Sequence, residues 1–388
     1  MSSKPLKVLG ITGCRSDYDL LSGLYAKINQ NSHMKLGLIV CGAHLTEYYG
    51  NTVKYIEQDE LPILARIKSL QVTNSYTSRI ESAATSLLSA APVVEAFQPD
   101  VIIYPGDREE VIVGALLGAY LKIPTIHFFS GDHTTDGSVD HPVRHATSKL
   151  SSLHFVMHES HKARLMRIGE PEERIFVIGS PQLDKFITTP PMKKNHILEE
   201  MRCEYWGNYA LMIQHSSHGM EERAARDFEE CLQALRNEKI RTFVATPNSD
   251  PGSQEIISIM KKVKGDENFC FFNSLSREIF VNLMRHADFL IGNSSAGIYE
   301  APMIPLAVLN VGIRQRNRLA AENVLFVDNG LENISKGIKT ILGSDFQTRL
   351  KVVRSPYGDG NSIDKAFQLI LNLNLSKFTY KPEDPLTF

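Results

Sequence analysis

At 388 residues the chain is longer than one hydrophobic core usually covers, so two domains are expected. Its 43% hydrophobic and 22% charged residues are ordinary for a soluble globular protein, and the net charge of −2 argues against broad binding to nucleic acid or to an anionic membrane. No apolar run reaches the roughly 18 residues of a membrane span, the start Met1–Lys7 does not read as a cleavable signal, and five scattered cysteines without a Cys-x-x-Cys pair fit reduced thiols in a cytoplasmic protein without structural zinc.

Short β-branched runs alternate with amphipathic stretches along the whole chain. Lys7–Thr12 reads as a first strand, followed by a turn at Gly13 and a helix over 20–28. Lys35–Val40 is the next strand. A long helix over 78–96 precedes a strand at Val101–Tyr104, a turn at Gly106-Asp107, a helix over 111–121 and a strand at 124–128. This rhythm implies a parallel sheet covered by helices on both faces, with ligands beyond the carboxyl ends of the strands. The turns after residues 12, 40, 105 and 128 should then share one rim. Residues 179–191, with Gly179, Pro181, Pro190 and Pro191, read as a hinge. A second series follows, with strands at 209–213, 241–245, 269–271, 289–291 and 306–311. The expected architecture is α/β, two doubly wound Rossmann-like domains over 1–187 and 188–364, with a cleft between them and a tail over 365–388 returning to the first.

The chemistry-bearing residues gather in the turns. Gly13-Cys14-Arg15-Ser16-Asp17 lacks the Gly-x-Gly-x-x-Gly pattern of dinucleotide binding. Arg15 offers a planar donor fork suited to phosphate, or stands solvated while Asp17 caps the helix. Asp107, before Arg108, is a helix cap or a catalytic acid or base. The window 127–145 holds four histidines, three of the aspartates Asp132, Asp136 and Asp140, and the pair Arg144-His145. A metal site is one reading of it. Acid/base carboxylates on an active-site loop are the favoured one, because no distant histidine-rich segment reinforces the cluster. His215, at the end of a second-series strand, is a candidate for proton transfer near pH 7. Gly292-Asn293-Ser294-Ser295 turns a strand into a helix whose free N–H groups and hydroxyls suit a phosphate, with Glu300 placed for ribose hydroxyls. An N-capped helix without a ligand is the alternative. Arg314 and Arg318 add positive charge after the last strand of the series.

In this order the segments resemble the UDP-N-acetylglucosamine 2-epimerase family, and its hydrolysing branch of the sialic and legionaminic acid pathway type. The matching pieces are Gly13–Tyr18, Gly42–Leu45, Gly106-Asp107-Arg108, Gly137–His145 with Lys149-Leu150, and Gly179-Ser180-Pro181. They continue through Gln214-His215, Pro247-Asn248-Ser249-Asp250, Gly292–Glu300, Gly312–Arg318 with Glu322-Asn323, and Tyr357–Asn361. The resemblance spans nearly the whole chain and implies a fold similar to GT-B glycosyltransferases, with the nucleotide on the second domain. It implies uridine-diphosphate contacts from Arg15, Ser294, Ser295, Glu300 and Arg314, with Arg108, Arg144, His145, Asn248, Gly292 and Arg318 as further binding residues. It implies catalytic roles for Asp107, Asp140 and His215. One position departs from the family pattern. Where the family usually has His-Ile-Glu-Gly-Gly with a catalytic glutamate, this chain has His127-Phe128-Phe129-Ser130-Gly131, with Phe129 in the glutamate's place. Asp132 and Asp136 are the candidates for the missing carboxylate.

The reaction so implied is elimination of UDP from a UDP-linked 2-acetamido sugar to a glycal, then hydration to the free C2-inverted sugar. The sugar is N-acetylglucosamine or a 6-deoxy diacetamido relative. No cofactor or metal is expected, and the partner is the nucleotide sugar, with a homodimer or homotetramer implied by the family. The alternatives are a non-hydrolysing 2-epimerase, a GT-B glycosyltransferase and a catalytically inactive nucleotide-sugar-binding protein.

Overall fold

A computed structural model describes residues 4–70, 76–133, 139–203, 206–247, 251–273 and 275–381. The chain folds as two compact units. The first takes in residues up to His133, Val139–Asp184 and the chain from Tyr357 on, and the second takes in Lys185–Pro356. No helix among the described residues is long and apolar enough to cross a membrane.

The first unit is built on seven strands: β1 (Leu6–Thr12), β2 (Met34–Cys41), β3 (Ile63–Ile67), β4 (Val101–Pro105), β5 (Thr125–Phe128), β6 (Leu153–Val156) and β7 (Ile175–Val177). They are all parallel, in the order β3-β2-β1-β4-β5-β6-β7. Central strands are buried on both faces, as a parallel sheet under helices requires: Val101–Pro105 and Thr125–Phe128 are buried at every residue. The second unit has six parallel strands: β8 (Ala210–Ile213), β9 (Thr242–Ala245), β10 (Phe269–Phe272), β11 (Phe289–Gly292), β12 (Ala307–Val311) and β13 (Val324–Val327). Their order is β10-β9-β8-β11-β12-β13. Its core lies on both faces of the sheet, around Phe228, Leu235 and Ile338 on one side and Trp206, Phe243 and Leu283 on the other.

Four strands escape the sequence reading: β3, β6, β7 and β13. Three of them are short, only partly buried strands at sheet edges; β6 carries the buried polar His154 in its middle. The first helix also begins earlier than its apolar spacing indicates, at Arg15 and not near Leu20. The segment read as a hinge contains the helix Pro181–Thr188.

Chain distant in sequence closes the first unit. Asp184 accepts the backbone N–H groups of Ser362 (3.0 Å) and Ile363 (2.6 Å), satisfying orphan donors at the start of the helix Ser362–Asn372. Lys381 donates to the carbonyls of Lys149 (3.0 Å) and Ser151 (2.9 Å), at the end of the helix Asp140–Leu150, where a cation also meets the negative end of the dipole. The same ammonium lies 2.5 Å from the buried carboxylate of Glu170, which also meets Lys149 and the neutral His154 at 2.8 Å each. Burial alone would raise the Glu170 pKa. The hydrogen bond from His154 and the surrounding charges outweigh it and hold the group down at about 2.

Glu170→Gln leaves two ammonium groups facing a neutral amide. Urea unfolding at pH 7 should show a loss of roughly 3 kcal/mol, typical of a broken buried pair. A carboxylate with a depressed folded pKa contributes its stability above the unfolded value near 4.5 and loses it as pH falls toward about 2. The gap between the variant and the native chain should therefore narrow over that window.

Candidate functional site

In each unit the strand order reverses once, between β1 and β4 in the first and between β8 and β11 in the second. At such a point the connecting helices depart to opposite faces, opening a crevice at the carboxyl ends of the strands. Most of the described residues singled out in the sequence fall in and around these two places.

In the first unit, β4 ends at Pro105 and turns through Gly106, whose φ of +93° is one that L side chains rarely adopt. His127, fully buried on β5, bonds the Gly106 carbonyl at 2.7 Å through Nε2 and the Ser148 hydroxyl at 3.1 Å through Nδ1. Burial pushes its pKa down to about 3, so it is a neutral strut between the turn and the helix Asp140–Leu150. Along that helix Arg144, 5% exposed, is bonded by the Asp107 carboxylate and lies 3.7 Å from Asp132. Asp132 also accepts the N–H of His133 (2.7 Å) and faces His161 at 3.6 Å. Asp140, in the first turn of the helix, pairs with Arg79 at 2.9 Å, and Arg79 holds Glu109 at 2.7 Å. His145 stands one turn after His141 and meets it edge to face at 4.5 Å. Burial, then the charges of His141 and Arg144, lower its pKa to about 4. The fold thus groups Asp107, Asp132, Asp140, Arg144 and His145 around one helix and the strand ends beside it. Asp136 and Asn248 lie outside the described residues.

Asp107 does not cap the helix Glu109–Leu121: Arg108 occupies the N-cap position, without a side-chain cap, and Asp107 is turned to Arg144. Asp17 does not cap the first helix either, whose N-cap is Cys14. Arg15 is paired with Asp19 (3.7 Å) and lies 4.5 Å over the Tyr55 ring. Phe128 and Phe129 are both buried, at 0% and 8% exposure, so neither presents a ring as an open sugar platform. Phe129 takes a φ of +62°, a left-handed backbone that costs a bulky side chain about 1–3 kcal/mol. Its N–H is held by the Phe155 carbonyl at 3.1 Å.

The crevice between β1 and β4 also contains a carboxyl pair that the sequence reading did not assign to the site. Asp17 and Glu110 are both buried, with donor atoms of Cys14, Asp17 and Glu110 within 4.8 Å of one another. Burial, then the charge of Asp17, pushes Glu110 up to about 8 against the pull of Arg108, 3.8 Å away. Gly13 is the only residue type that fits above it, since a Cβ there would stand 1.8 Å from the Glu110 carboxylate. A glutamate in the first turn of a helix reads locally as a partner of the dipole. Only the approach of β1 to β4 reveals the pair.

In the second unit, Asn293 organises the strand ends. Its side chain accepts the His215 N–H and donates to the His215 carbonyl, both at 2.8 Å, locking the β8 turn to the β11 turn. Its own carbonyl accepts Arg314 (3.2 Å) and Gln315 (3.0 Å), drawing in the turn after β12. Gly292 has a φ of +126°, and a Cβ there would lie 2.2 Å from the Ile213 carbonyl, so this glycine serves the close approach of β8 and β11. Gly297 likewise packs closely against Val308. The helix expected after Ser295 is one turn, Ala296–Tyr299, too short for a substantial dipole, and the Ser294 hydroxyl accepts the Ala296 N–H at 3.2 Å. Glu300 is buried just beyond it, and Arg318 lies 5.8 Å from the Tyr299 ring. Burial, then the charge of Arg314, pushes the His215 pKa down to about 3, so its imidazole is neutral at pH 7.

A raised carboxyl pKa favours the fold below the unfolded value near 4.5 and loses that contribution as pH climbs through about 8. Glu110→Gln mimics the protonated form. Its melting temperature relative to the native chain should therefore rise steadily between pH 5 and pH 9, measured by thermal denaturation in matched buffers.

Comparison with known proteins agrees with this arrangement over nearly the full length. The family model described as UDP-N-acetylglucosamine 2-epimerase matches residues 26–371. The chain is 31% identical to the UDP-N,N'-diacetylbacillosamine 2-epimerase (hydrolyzing) of Legionella pneumophila, over 95% of this chain and 96% of that protein. It is 32% identical to the UDP-N-acetylglucosamine 2-epimerase of Neisseria meningitidis, over 86% of each. In fold it is similar to a crystal structure of UDP-GlcNAc 2-epimerase from Neisseria meningitidis bound to UDP-GlcNAc, with a TM-score of 0.83 at 19% identity, covering 95% of this chain and all of that one. Two parallel α/β units of this order, the strand-end residues they carry and a family match over most of the chain lead to one conclusion: the chain belongs to the UDP-N-acetylglucosamine 2-epimerase family.

Proposed function

We propose that the protein is a hydrolysing UDP-sugar 2-epimerase, acting on a UDP-linked 2-acetamido sugar of the N,N'-diacetylbacillosamine or N-acetylglucosamine type. The observation that carries this reading is the second unit's strand-end cluster, where Asn293 holds Arg314 and the neutral His215 together at the crevice between β8 and β11. Two relatives whose names specify hydrolysing 2-epimerases, from Legionella pneumophila and Campylobacter jejuni, support the hydrolytic form. The uridine diphosphate sits on this cluster, with Ser294 and Ser295 donating to phosphate, Glu300 accepting from ribose, and Arg314 and Arg318 opposing the charge of the leaving group.

The hydrogen on C2 of such a sugar has no neighbouring carbonyl to acidify it. The C1–O bond therefore breaks first, its electron pair leaving on UDP, and the resulting oxocarbenium-like centre makes the C2 proton acidic. A base takes that proton to give the glycal. Water then adds through oxygen at C1, and a proton returns to the opposite face of C2. Asp107, a quarter exposed and oriented by Arg144, is the proposed base, with His215 as the second proton-transfer group. A diphosphate on Arg314 would offset the smaller of the two effects that depress the imidazole, burial being the larger. Asp132, which faces Arg144 and His161, is the described carboxylate proposed to act in place of the family glutamate, and Asp140, paired with Arg79, is a further proposed catalytic carboxylate.

Proton NMR in deuterated water with UDP-N,N'-diacetylbacillosamine, and separately with UDP-N-acetylglucosamine, tests the reaction. The expected products are stoichiometric UDP and a free C2-inverted sugar carrying deuterium at C2. A C2-inverted sugar that remains linked to UDP would show a non-hydrolysing epimerase instead. Asp107→Asn should abolish turnover while UDP binding, followed by calorimetry, changes little. Arg314→Ala should weaken UDP binding by about 10–100-fold, the loss of a charged hydrogen bond to phosphate.

A further inference from the structure

We propose that the first unit contains a three-histidine site for a single late first-row divalent ion of the zinc class, made by His133, His141 and His145. His141 and His145 are four residues apart in the helix Asp140–Leu150, so both imidazoles project from one face. The chain after β5 brings His133 to them. Its ring meets His141 edge to face with centroids 4.3 Å apart, and His141 meets His145 in the same way at 4.5 Å. One ring nitrogen from each of the three lies within 4.8 Å of the other two. Zinc–nitrogen bonds of about 2.0–2.1 Å place tetrahedral ligand nitrogens roughly 3.4 Å apart, so the three rings must draw closer to hold an ion. The sequence window holds all three histidines, and the fold brings His133 to the helical pair.

The donor chemistry selects the ion. Three imidazoles suit zinc, cobalt(II), nickel(II) or copper(II), whereas magnesium and calcium require oxygen ligands. Three protein ligands leave a fourth position for water or an outside donor. The adjacent Arg144 does not oppose the ion with an isolated charge, because Asp107 and Asp132 flank its guanidinium. An ion here would pin His133, next to Asp132, onto the helix that carries Asp140 and Arg144. The inference does not rest on the proposed reaction, since metal binding is read without turnover.

The full-length chain, stripped with a chelator and dialysed, is titrated with Co²⁺ and the visible absorption recorded, followed by displacement with Zn²⁺. One equivalent per chain, with the intense spectrum of a low-coordinate cobalt site that zinc abolishes, is the expected result. His133→Asn and His141→Asn should each weaken Zn²⁺ binding by at least the roughly 10–100-fold that losing an outer-shell partner costs. His196→Asn, on the helix Lys194–Glu200 of the second unit, should bind as the native chain does. Far-ultraviolet circular dichroism of the metal-free variants establishes that they are folded. Absence of stoichiometric binding, or binding that survives in the His133→Asn/His141→Asn double variant, would overturn the site.

Discussion

Every strand in each sheet runs in the same direction, and that constraint determines where chemistry can occur. Parallel pairing sends each connection back over a face of the sheet, so all carboxyl ends of a sheet share one edge. Helices pack over both faces and close them to ligands. Only where the strand order reverses does the helical cover part, and that happens once in each sheet. The consequence is visible in residue type. Strand interiors such as Val101–Pro105 are buried throughout, while the residues immediately after strand ends are Gly106-Asp107-Arg108, Gln214-His215 and Asn293-Ser294-Ser295.

The two crevices carry different electrostatics. The first unit holds several carboxyl groups within one crevice and its neighbourhood. Asp107 and Asp132 flank Arg144, whereas Glu110 is kept protonated near neutrality by burial and by the charge of Asp17. Environments that push carboxyl groups apart in pKa are what separate acids from bases in one site. The second unit instead presents Arg314 and a neutral imidazole, tied to one asparagine that links its own turn after β11 to the turns after β8 and β12. An asparagine suits this position because its amide both donates and accepts, so a single side chain satisfies both backbone groups of His215.

Phe129 stands where the resemblance places the family's glutamate. The backbone there is left-handed, yet the residue is neither glycine nor asparagine, and its ring is buried. Local strain of this kind persists where surrounding contacts over-determine the conformation. Here the Phe155 carbonyl holds the N–H of Phe129, and Gly131 must pass within contact of the His161 carbonyl, where a Cβ would stand 2.4 Å away. The left-handed turn is therefore held by backbone contacts on both sides of an apolar side chain.

The sequence by itself determined the α/β class, the buried strands and the turns at their ends, because apolar periodicity and the small or charged residues that interrupt it are local properties. Gly106-Asp107, His215 and the run from Gly292 to Ser295 were legible in that way, and the ordered resemblance across the chain identified the family. Edge strands such as β7 and β13 were not legible, since a strand of three or four partly buried residues makes no periodic pattern. Tertiary structure alone decided which charges meet. Asp17 faces Glu110 because β1 pairs with β4, and Asn293 reaches His215 because β8 pairs with β11. It also decided that Asp107 is turned to Arg144 and does not cap its own helix, and that His133 joins His141 and His145. Those outcomes depend on strand order and register, which no local spacing specifies, and on burial, which sets the protonation state of each group only after its neighbours are in place.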